Sequence, residues 1–398
     1  MGLGTLVALL LAEAVVRLVY EGDKGTIGVL YQPSEILGWE HKSGLSMEHE
    51  SSEFSIEWHL NNHGIRRSQD VELETDRPRI AVLGDSHAAG HGVNEEHSFA
   101  ARLEEMLGEE RSSGVEVLNF AVDGYTSSQQ CLWVQHQLER WHLDGLVVAV
   151  YLGNDLRENL DTGGLGGYQR PLLDPRTLEV KSSVQKSPRD GEGGDSDGSF
   201  AAVKDFLSEH SSLYGFVGNQ IRGGPLHERL AEMGLMRPPV PDTARRVLDH
   251  VHGAHGQLLW QLQGFEGQPQ RQATAVNLTA RTLKRMQALC RESEVEFLAV
   301  ILPCRVEVEG ASPELEEAAS WLGIEARPVT RIAALRAEFL TALGEQDVQI
   351  LDLLDAARAY RATHADDPLY YPMDWHLDSA GHRLVAEKVL PVLRNWLD

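Results

Sequence analysis

The chain has 398 residues, of which 42% are hydrophobic and 7% aromatic, so it can bury a substantial core. Sixty acidic residues against 36 basic ones give a formal net charge of -24. This charge repels nucleic-acid phosphates and anionic lipid, which argues against a nucleic-acid-binding protein. The three cysteines are far apart and form no C-x-x-C pair, so we expect buried free thiols at Cys131, Cys290 and Cys304.

The first 20 residues form a mostly apolar segment that carries no charge before Glu13. The segment has the length of a transmembrane helix, but it contains Glu13 and Arg17, and no basic region precedes it. No small-residue cleavage site clearly follows. We therefore expect a signal-anchor over residues 1–20 that holds the protein at the cell envelope, with the rest of the chain outside the cytoplasm. An amphipathic packing helix is the alternative.

Residues 21–78 are polar with short alternating pieces, which predicts an extended lead-in packed on the main domain. From residue 79 onward, short β-branched runs alternate with amphipathic helical patterns. The predicted strands are residues 79–84, 115–122, 145–153, 295–303 and 348–354. Such alternation predicts right-handed crossovers, and hence an α/β fold: a three-layer α/β/α sandwich around a five-stranded parallel sheet, over residues 79–398.

A helical insertion at about residues 160–272 interrupts this alternation. Residues 185–200 have the Gly, Ser and Asp content of a solvated linker, and residues 201–223 and 243–265 read as two amphipathic helices. We expect the insertion at the carboxyl edge of the sheet, where open α/β folds bind ligands. Three histidines at positions 250, 252 and 255 do not align on one helix face, so no metal site is predicted there.

The tripeptide Gly84-Asp85-Ser86 directly follows the first strand of the predicted sheet. In an open parallel sheet, the turn after this strand delivers its residues to the ligand crevice. A serine hydroxyl becomes an effective nucleophile only with a base, a group that orients the base, and donors for an oxyanion. Ser86 is therefore a candidate nucleophile if those partners are present.

The loop at residues 370–378 offers the base. Asp374 and His376 are two residues apart, and Asp378 follows as a predicted helix N-cap. In an irregular loop, the carboxylate can accept the Nδ1–H of the imidazole and leave Nε2 free to face a serine. Gly124 and Asn154 follow the next two strands, so a glycine N–H and an amide are expected as oxyanion donors.

Four sequence blocks follow one another along the chain: Gly84-Asp85-Ser86, Gly124, Asn154, and Asp374 with His376. Their order and their places after the strands resemble the SGNH/GDSL hydrolase superfamily. The resemblance implies a flavodoxin-like fold with Ser86 as nucleophile and oxyanion donor, Gly124 and Asn154 as oxyanion donors, His376 as base and Asp374 as its orienting group. Residues 61–93 also resemble the lead-in of a bacterial, often membrane-anchored group of this superfamily, which carries Asn-x-x-Gly-x-Arg before the nucleophile. No metal or organic cofactor is expected.

Two departures affect the expected function. The usual spacing puts the Asp three residues before the His, where this chain has Met373; the two-residue spacing resembles SGNH-like polysaccharide O-acetyltransferases. His87 follows the nucleophile and is expected to contact a polar substrate. We predict an esterase for a short acyl or acetyl group on a carbohydrate or lipid. An O-acetyltransferase acting on an envelope glycan and an inactive glycan-binding module are the alternatives, and the oligomeric state stays open.

Overall fold

The structure, a computed structural model, describes residues 27–111, 114–165, 168–182 and 254–397. All of these residues belong to one compact unit. The predicted signal-anchor, the polar linker, the helix predicted at 201–223, His250 and His252 lie outside the described residues. His255 is the second residue of the helix Ala254–Phe265. Within the described residues, no helix is long and apolar enough to cross a membrane.

Five strands form one parallel sheet, which confirms the predicted fold. In spatial order the strands are β11 (Ile350–Asp352), β10 (Glu296–Leu302), β7 (Gly145–Tyr151), β5 (Arg79–Leu83) and β6 (Glu116–Asn119). Strand β5 pairs with β6 at Ala81 and Leu118 and with β7 at Val82 and Val147. Strands β5, β6 and β7 are buried along their whole length, because helices cover both faces of the sheet.

Helices flank the sheet in packed pairs. The described helices are α1 (Ser86–Ala89), α2 (Phe99–Glu110), α3 (Ser127–Gln137), α4 (Asp155–Glu158), α5 (Ala254–Phe265), α6 (Pro269–Glu292), α7 (Arg305–Glu309), α8 (Pro313–Trp321), α9 (Pro328–Glu345), α10 (Leu354–Thr363) and α11 (Ser379–Leu397). Helix α2 packs against α11, and α3 packs against α6. Helix α2 buries an apolar stripe, in which Phe99, Leu103 and Leu107 recur every four residues and face the core.

The lead-in forms two antiparallel hairpins that share the main core. Strands β1 (Tyr31–Ser34) and β2 (Gly38–His41) form one hairpin, and β3 (Leu45–Glu50) and β4 (Ser55–Leu60) form the other. Tyr31, Trp39 and Trp58 are buried and belong to the same hydrophobic core as the central sheet. The lead-in is therefore part of the same compact unit as the sheet.

The described part of the predicted insertion contains a short hairpin, β8 (Leu172–Leu173) with β9 (Val180–Ser182), and helix α5. Helix α6 begins at Pro269, and its buried face packs on α3 and β10. Cys131, Cys290 and Cys304 are buried and free, as predicted.

Candidate active site

Ser86 stands at the carboxyl end of β5 because a sharp strand–turn–helix unit carries it. The Asp85 carboxylate accepts a hydrogen bond from the His87 N–H at 2.9 Å, which caps α1 and starts the helix directly at Ser86. Gly84 permits the tight turn, since a Cβ there would lie 2.4 Å from the Cβ of Ala88. The local sequence thus explains why a serine side chain emerges at this edge of the sheet.

Ser86, His376 and Asp374 form a hydrogen-bonded triad. The Ser86 hydroxyl lies 2.7 Å from His376 Nε2, and His376 Nδ1 lies 2.5 Å from Asp374 Oδ1. Burial on its own would raise the pKa of Asp374, but the hydrogen bond and charge of His376, with His91, lower that pKa to about 2. An ionised Asp374 holds the proton on Nδ1, which leaves Nε2 free to accept the proton of Ser86.

The two-residue spacing of Asp374 and His376 works because Trp375, between them, has a left-handed backbone with φ of 69°. This turn brings the Asp374 carboxylate within hydrogen-bond distance of the His376 imidazole, two residues further along the chain. A bulky residue in this conformation is strained by about 1–2 kcal/mol, so the surroundings must hold it. The Trp375 side chain is buried, and its Nε1–H donates to the carbonyl of Pro372 at 3.1 Å.

Gly124 and Asn154 lie beside the triad at the ends of the neighbouring strands. Gly124 has a φ of 74° in the turn before α3, and its N–H, like that of Ser86, donates no hydrogen bond within the described residues. Asn154 is buried, its Oδ1 has no hydrogen-bond partner among the described residues, and the residue borders the same cavity as Ser86. Ser86, His376, Gly124 and Asn154 line one cavity of about 620 Å³.

No family model and no curated protein matches the chain. Solved structures with similar folds include TesA, which is 11% identical and aligns over 80% of this chain and 99% of its own, with a TM-score of 0.36. The acetyl xylan esterase AlAXEase is 9% identical over 79% of this chain and 99% of its own, with a TM-score of 0.38. The lipase/acylhydrolase from Enterococcus faecalis is 11% identical over 80% and 96%, with a TM-score of 0.36.

The structure brings together the four sequence blocks that resemble those of the SGNH hydrolases. All four sequence blocks meet at the carboxyl edge of the sheet, with a serine, a glycine, an asparagine and a histidine around one cavity. The residues on which the resemblance rests therefore lie around one cavity, and their roles in a reaction stay predictions.

The expectation for His87 needs correction. Its side chain is buried, does not line the cavity, and stacks on Tyr151 with ring centroids 3.7 Å apart. Burial, and then the neighbouring His376, lower its pKa well below the usual value, so the ring is neutral. Because successive helical residues point about 100° apart, the residue after Ser86 faces the sheet instead of the substrate. The His87 ring also contacts the ring of His376, with the two ring centroids 4.7 Å apart.

His91 is a site residue that the sequence reasoning missed. Its ring stacks on His376 at 4.4 Å, and its Nδ1 lies 3.4 Å from the Asp123 carboxylate. Burial opposes the ionisation of Asp123, but His91 and the Tyr31 hydroxyl, which donates to it at 2.6 Å, lower the pKa of Asp123 below its usual range. No motif marks His91, because its partners come from distant parts of the chain.

His91, Asp374 and His376 place three donor atoms within 4.8 Å of one another. Stacked imidazoles direct their ring nitrogens side by side, whereas a zinc ion needs ligands that converge on it. Asp374 and His376 are also already joined by the hydrogen bond of the triad. We therefore interpret the cluster as an imidazole–carboxylate network.

The Asn-x-x-Gly-x-Arg segment of the lead-in, residues 61–66, ends in Arg66, which contacts the loop after the nucleophile. The Asn61 side chain accepts from the N–H groups of His63 and Ile65, at 2.9 and 3.1 Å, and so forms the turn. The buried Arg66 guanidinium stacks on Trp58 at 3.8 Å. Arg66 donates hydrogen bonds to the carbonyl groups of Ala89, Gly90 and Val93. The segment thus fixes the loop that follows the nucleophile.

The outer wall of the cavity carries paired charges and one exposed indole. Arg157 pairs with Asp161 at 3.0 Å, and Arg170 pairs with Glu158 at 2.6 Å. Trp260, on α5, is 43% exposed and lies 6.0 Å from the Arg157 guanidinium. This wall offers hydrogen-bonding groups and an aromatic face to a ligand bound near Ser86.

Proposed function

We propose that the protein is a serine hydrolase of oxygen esters. The observation that carries this proposal is the triad itself: a serine at a strand end, 2.7 Å from an imidazole that an ionised carboxylate orients at 2.5 Å. Gly124 and Asn154 add support, because both border the cavity in which a reacting carbonyl would bind. Gly124 has no side chain to block its N–H, and Asn154 has a side-chain amide. These features together are what acyl transfer requires.

In the proposed reaction, His376 Nε2 takes the proton of Ser86 as its Oγ attacks the acyl carbon. The N–H groups of Ser86 and Gly124 and the Asn154 amide hydrogen-bond the oxyanion of the tetrahedral intermediate. His376 then returns the proton to the leaving alcohol, and the acyl-enzyme forms. A water molecule, deprotonated by His376, releases the acid in the second half of the reaction.

A short acyl group on a polar alcohol, such as an acetylated sugar, is the substrate class we favour. The paired charges of the cavity wall would lose hydration against a long acyl chain, whereas they can hydrogen-bond the hydroxyl groups of a sugar. The exposed face of Trp260 supports the same choice, since an indole can pack on a sugar ring. Lipid esters are the second class.

The test measures acyl release by the full chain from p-nitrophenyl acetate, p-nitrophenyl octanoate and an acetylated xylo-oligosaccharide. We expect the acetyl esters to be preferred, and Ser86→Ala to lose at least about a thousandfold in kcat. Equal rates for Ser86→Ala and the unchanged chain would refute the proposal. Preference for octanoate would refute the substrate class alone.

An O-acetyltransferase is the second candidate, because the cavity of about 620 Å³ has room for an acceptor beside the acyl-enzyme. The two functions share every step up to the acyl-enzyme and differ in whether water or a glycan hydroxyl accepts the acyl group. Adding an unmodified oligosaccharide separates them. Faster transfer than hydrolysis would favour the transferase; hydrolysis unaffected by the glycan would favour the esterase.

A further inference from the structure

The tip of the β3–β4 hairpin meets the loop that carries Asp374. The Glu53 carboxylate accepts hydrogen bonds from the Met373 N–H, 2.9 and 3.0 Å from its two oxygens, and from the Asp374 N–H at 2.6 Å. These residues are more than 300 positions apart in the chain, so the contact joins the lead-in to the end of the hydrolase domain. No sequence motif marks Glu53.

Hydrogen bonds within the hairpin tip hold its backbone together. The Ser51 hydroxyl accepts from the N–H groups of Glu53 and Phe54 at 3.1 and 3.2 Å, and the Ser51 N–H donates to the Phe54 carbonyl at 2.8 Å. These hydrogen bonds fix the backbone from which the Glu53 side chain extends toward the loop of Asp374.

Phe54 anchors the same tip between the two loops of the site. Its ring lies 5.1 Å from that of Tyr371 and 5.9 Å from that of His91. The Tyr371 hydroxyl in turn donates to the carbonyl of Gly92 at 2.6 Å. The tip therefore contacts both the loop after the nucleophile and the loop of the triad.

The triad loop needs such support because its short Asp–His spacing depends on the left-handed Trp375. An unsupported loop would relax toward ordinary backbone angles and swing the Asp374 carboxylate away from His376. Glu53 binds the N–H groups of the two residues directly before Trp375, where it opposes that relaxation. Charge-assisted hydrogen bonds to backbone N–H groups are among the stronger ones in proteins.

We infer that Glu53 is a positioning residue: it holds Asp374 against His376 and so allows the triad to work with a two-residue spacing. This inference rests on the proposed function, and it adds the lead-in hairpin to the parts of the chain that catalysis requires.

The test compares kcat and KM for p-nitrophenyl acetate in Glu53→Ala, Glu53→Gln and the control Glu50→Ala, an exposed position at the end of β3. We expect Glu53→Ala to lower kcat by about ten- to a hundredfold with KM changed less than about threefold, because the loss is one of alignment. Glu53→Gln keeps one acceptor oxygen and should recover most of the rate. Glu50→Ala should be unchanged.

A second arm separates positioning from a general loss of stability. If Glu53 acts through Asp374, then Glu53→Ala made in an Asp374→Asn background should cost less than about twofold further. A merely structural role would give the same loss in both backgrounds and would overturn the inference. If Glu53→Ala does not fold, Glu53→Asp replaces it, since its shorter side chain cannot reach both N–H groups; full activity of Glu53→Asp would also overturn it.

The outcomes distinguish this inference from the proposed function. Ser86-dependent hydrolysis with an unaffected Glu53→Ala variant overturns the inference alone. Hydrolysis that does not require Ser86 overturns the proposed function, and the inference with it.

Discussion

Replacing Asp374 by Asn removes the carboxylate of the triad while nearly keeping its shape. Burial alone would raise the pKa of Asp374, yet its contacts with His376, and with His91, lower it from 3.8 to about 2. Because each pKa unit is worth about 1.4 kcal/mol, these contacts outweigh the cost of burial by about 2 kcal/mol in favour of the ionised carboxylate. The same attraction stabilises the imidazolium that forms when His376 takes the proton of Ser86.

Loss of that attraction alone corresponds to a fall in kcat of about 30-fold. The Asn amide can also donate to Nδ1 and stabilise the wrong tautomer, which extends the expected loss toward about 10,000-fold. The assay is kcat for p-nitrophenyl acetate at pH 8, beside Asp378→Asn as the control. Asp378 caps α11 by accepting from the N–H groups of Ala380 and Gly381, and an Asn keeps this cap. An Asp374→Asn variant with more than a third of the original kcat would refute the reasoning.

The pH dependence of stability gives a second readout for Asp374. Its pKa in the folded protein lies below its usual value, so the stability it contributes is present above pH 3.8 and is lost as the pH falls through about 2. Urea unfolding should therefore show a stability difference between the unchanged chain and Asp374→Asn at pH 6 that disappears near pH 2. A difference that persists undiminished at pH 2 would contradict this assignment.

Three further substitutions test the supports of the site. Arg66→Met should leave three loop carbonyls without their hydrogen-bond donor and so lower the free energy of unfolding, measured in urea, by about 3 kcal/mol or more. A loss under about 1 kcal/mol would refute the role given to Arg66. Gly124→Ala should lower kcat at least about tenfold and the free energy of unfolding by about 1–2 kcal/mol, because a φ of 74° disfavours a Cβ and relaxation of the turn shifts the N–H. An unchanged kcat would remove Gly124 from the oxyanion site. His87→Phe should keep the stacking on Tyr151 and the preference among esters, measured as ratios of kcat/KM; a changed preference would restore the substrate role.

Much of the fold was predictable because each central strand is buried on both faces and therefore reads as a continuous apolar run. Residues 145–153 and 295–303 are the clearest cases, and the strands end within two residues of the predicted limits. The predicted strand at 348–354 is shorter in the structure, Ile350–Asp352, since it lies at the edge of the sheet and is only partly buried.

The site was partly predictable for a related reason. Ser86, Gly124 and Asn154 follow strands directly, and parallel strands bring their carboxyl ends together. His91 and Glu53 do not directly follow a strand of the central sheet and stand in no motif, so the sequence did not indicate them. His91 contacts Asp123, and Glu53 contacts the backbone of residues 373–374, and both partners are distant in the chain. His87 was misjudged because neighbours in sequence point in different directions on a helix.

Ser86 is tested most directly as the nucleophile by covalent labelling with a fluorophosphonate, with the modified residue located by mass spectrometry of peptides from the full chain. A serine activated by the triad should carry the label, so we expect one modified residue, Ser86, with labelling abolished in Ser86→Ala and strongly slowed in His376→Ala. Labelling of another residue, or of Ser86 at an unchanged rate without His376, would show that the triad does not activate Ser86.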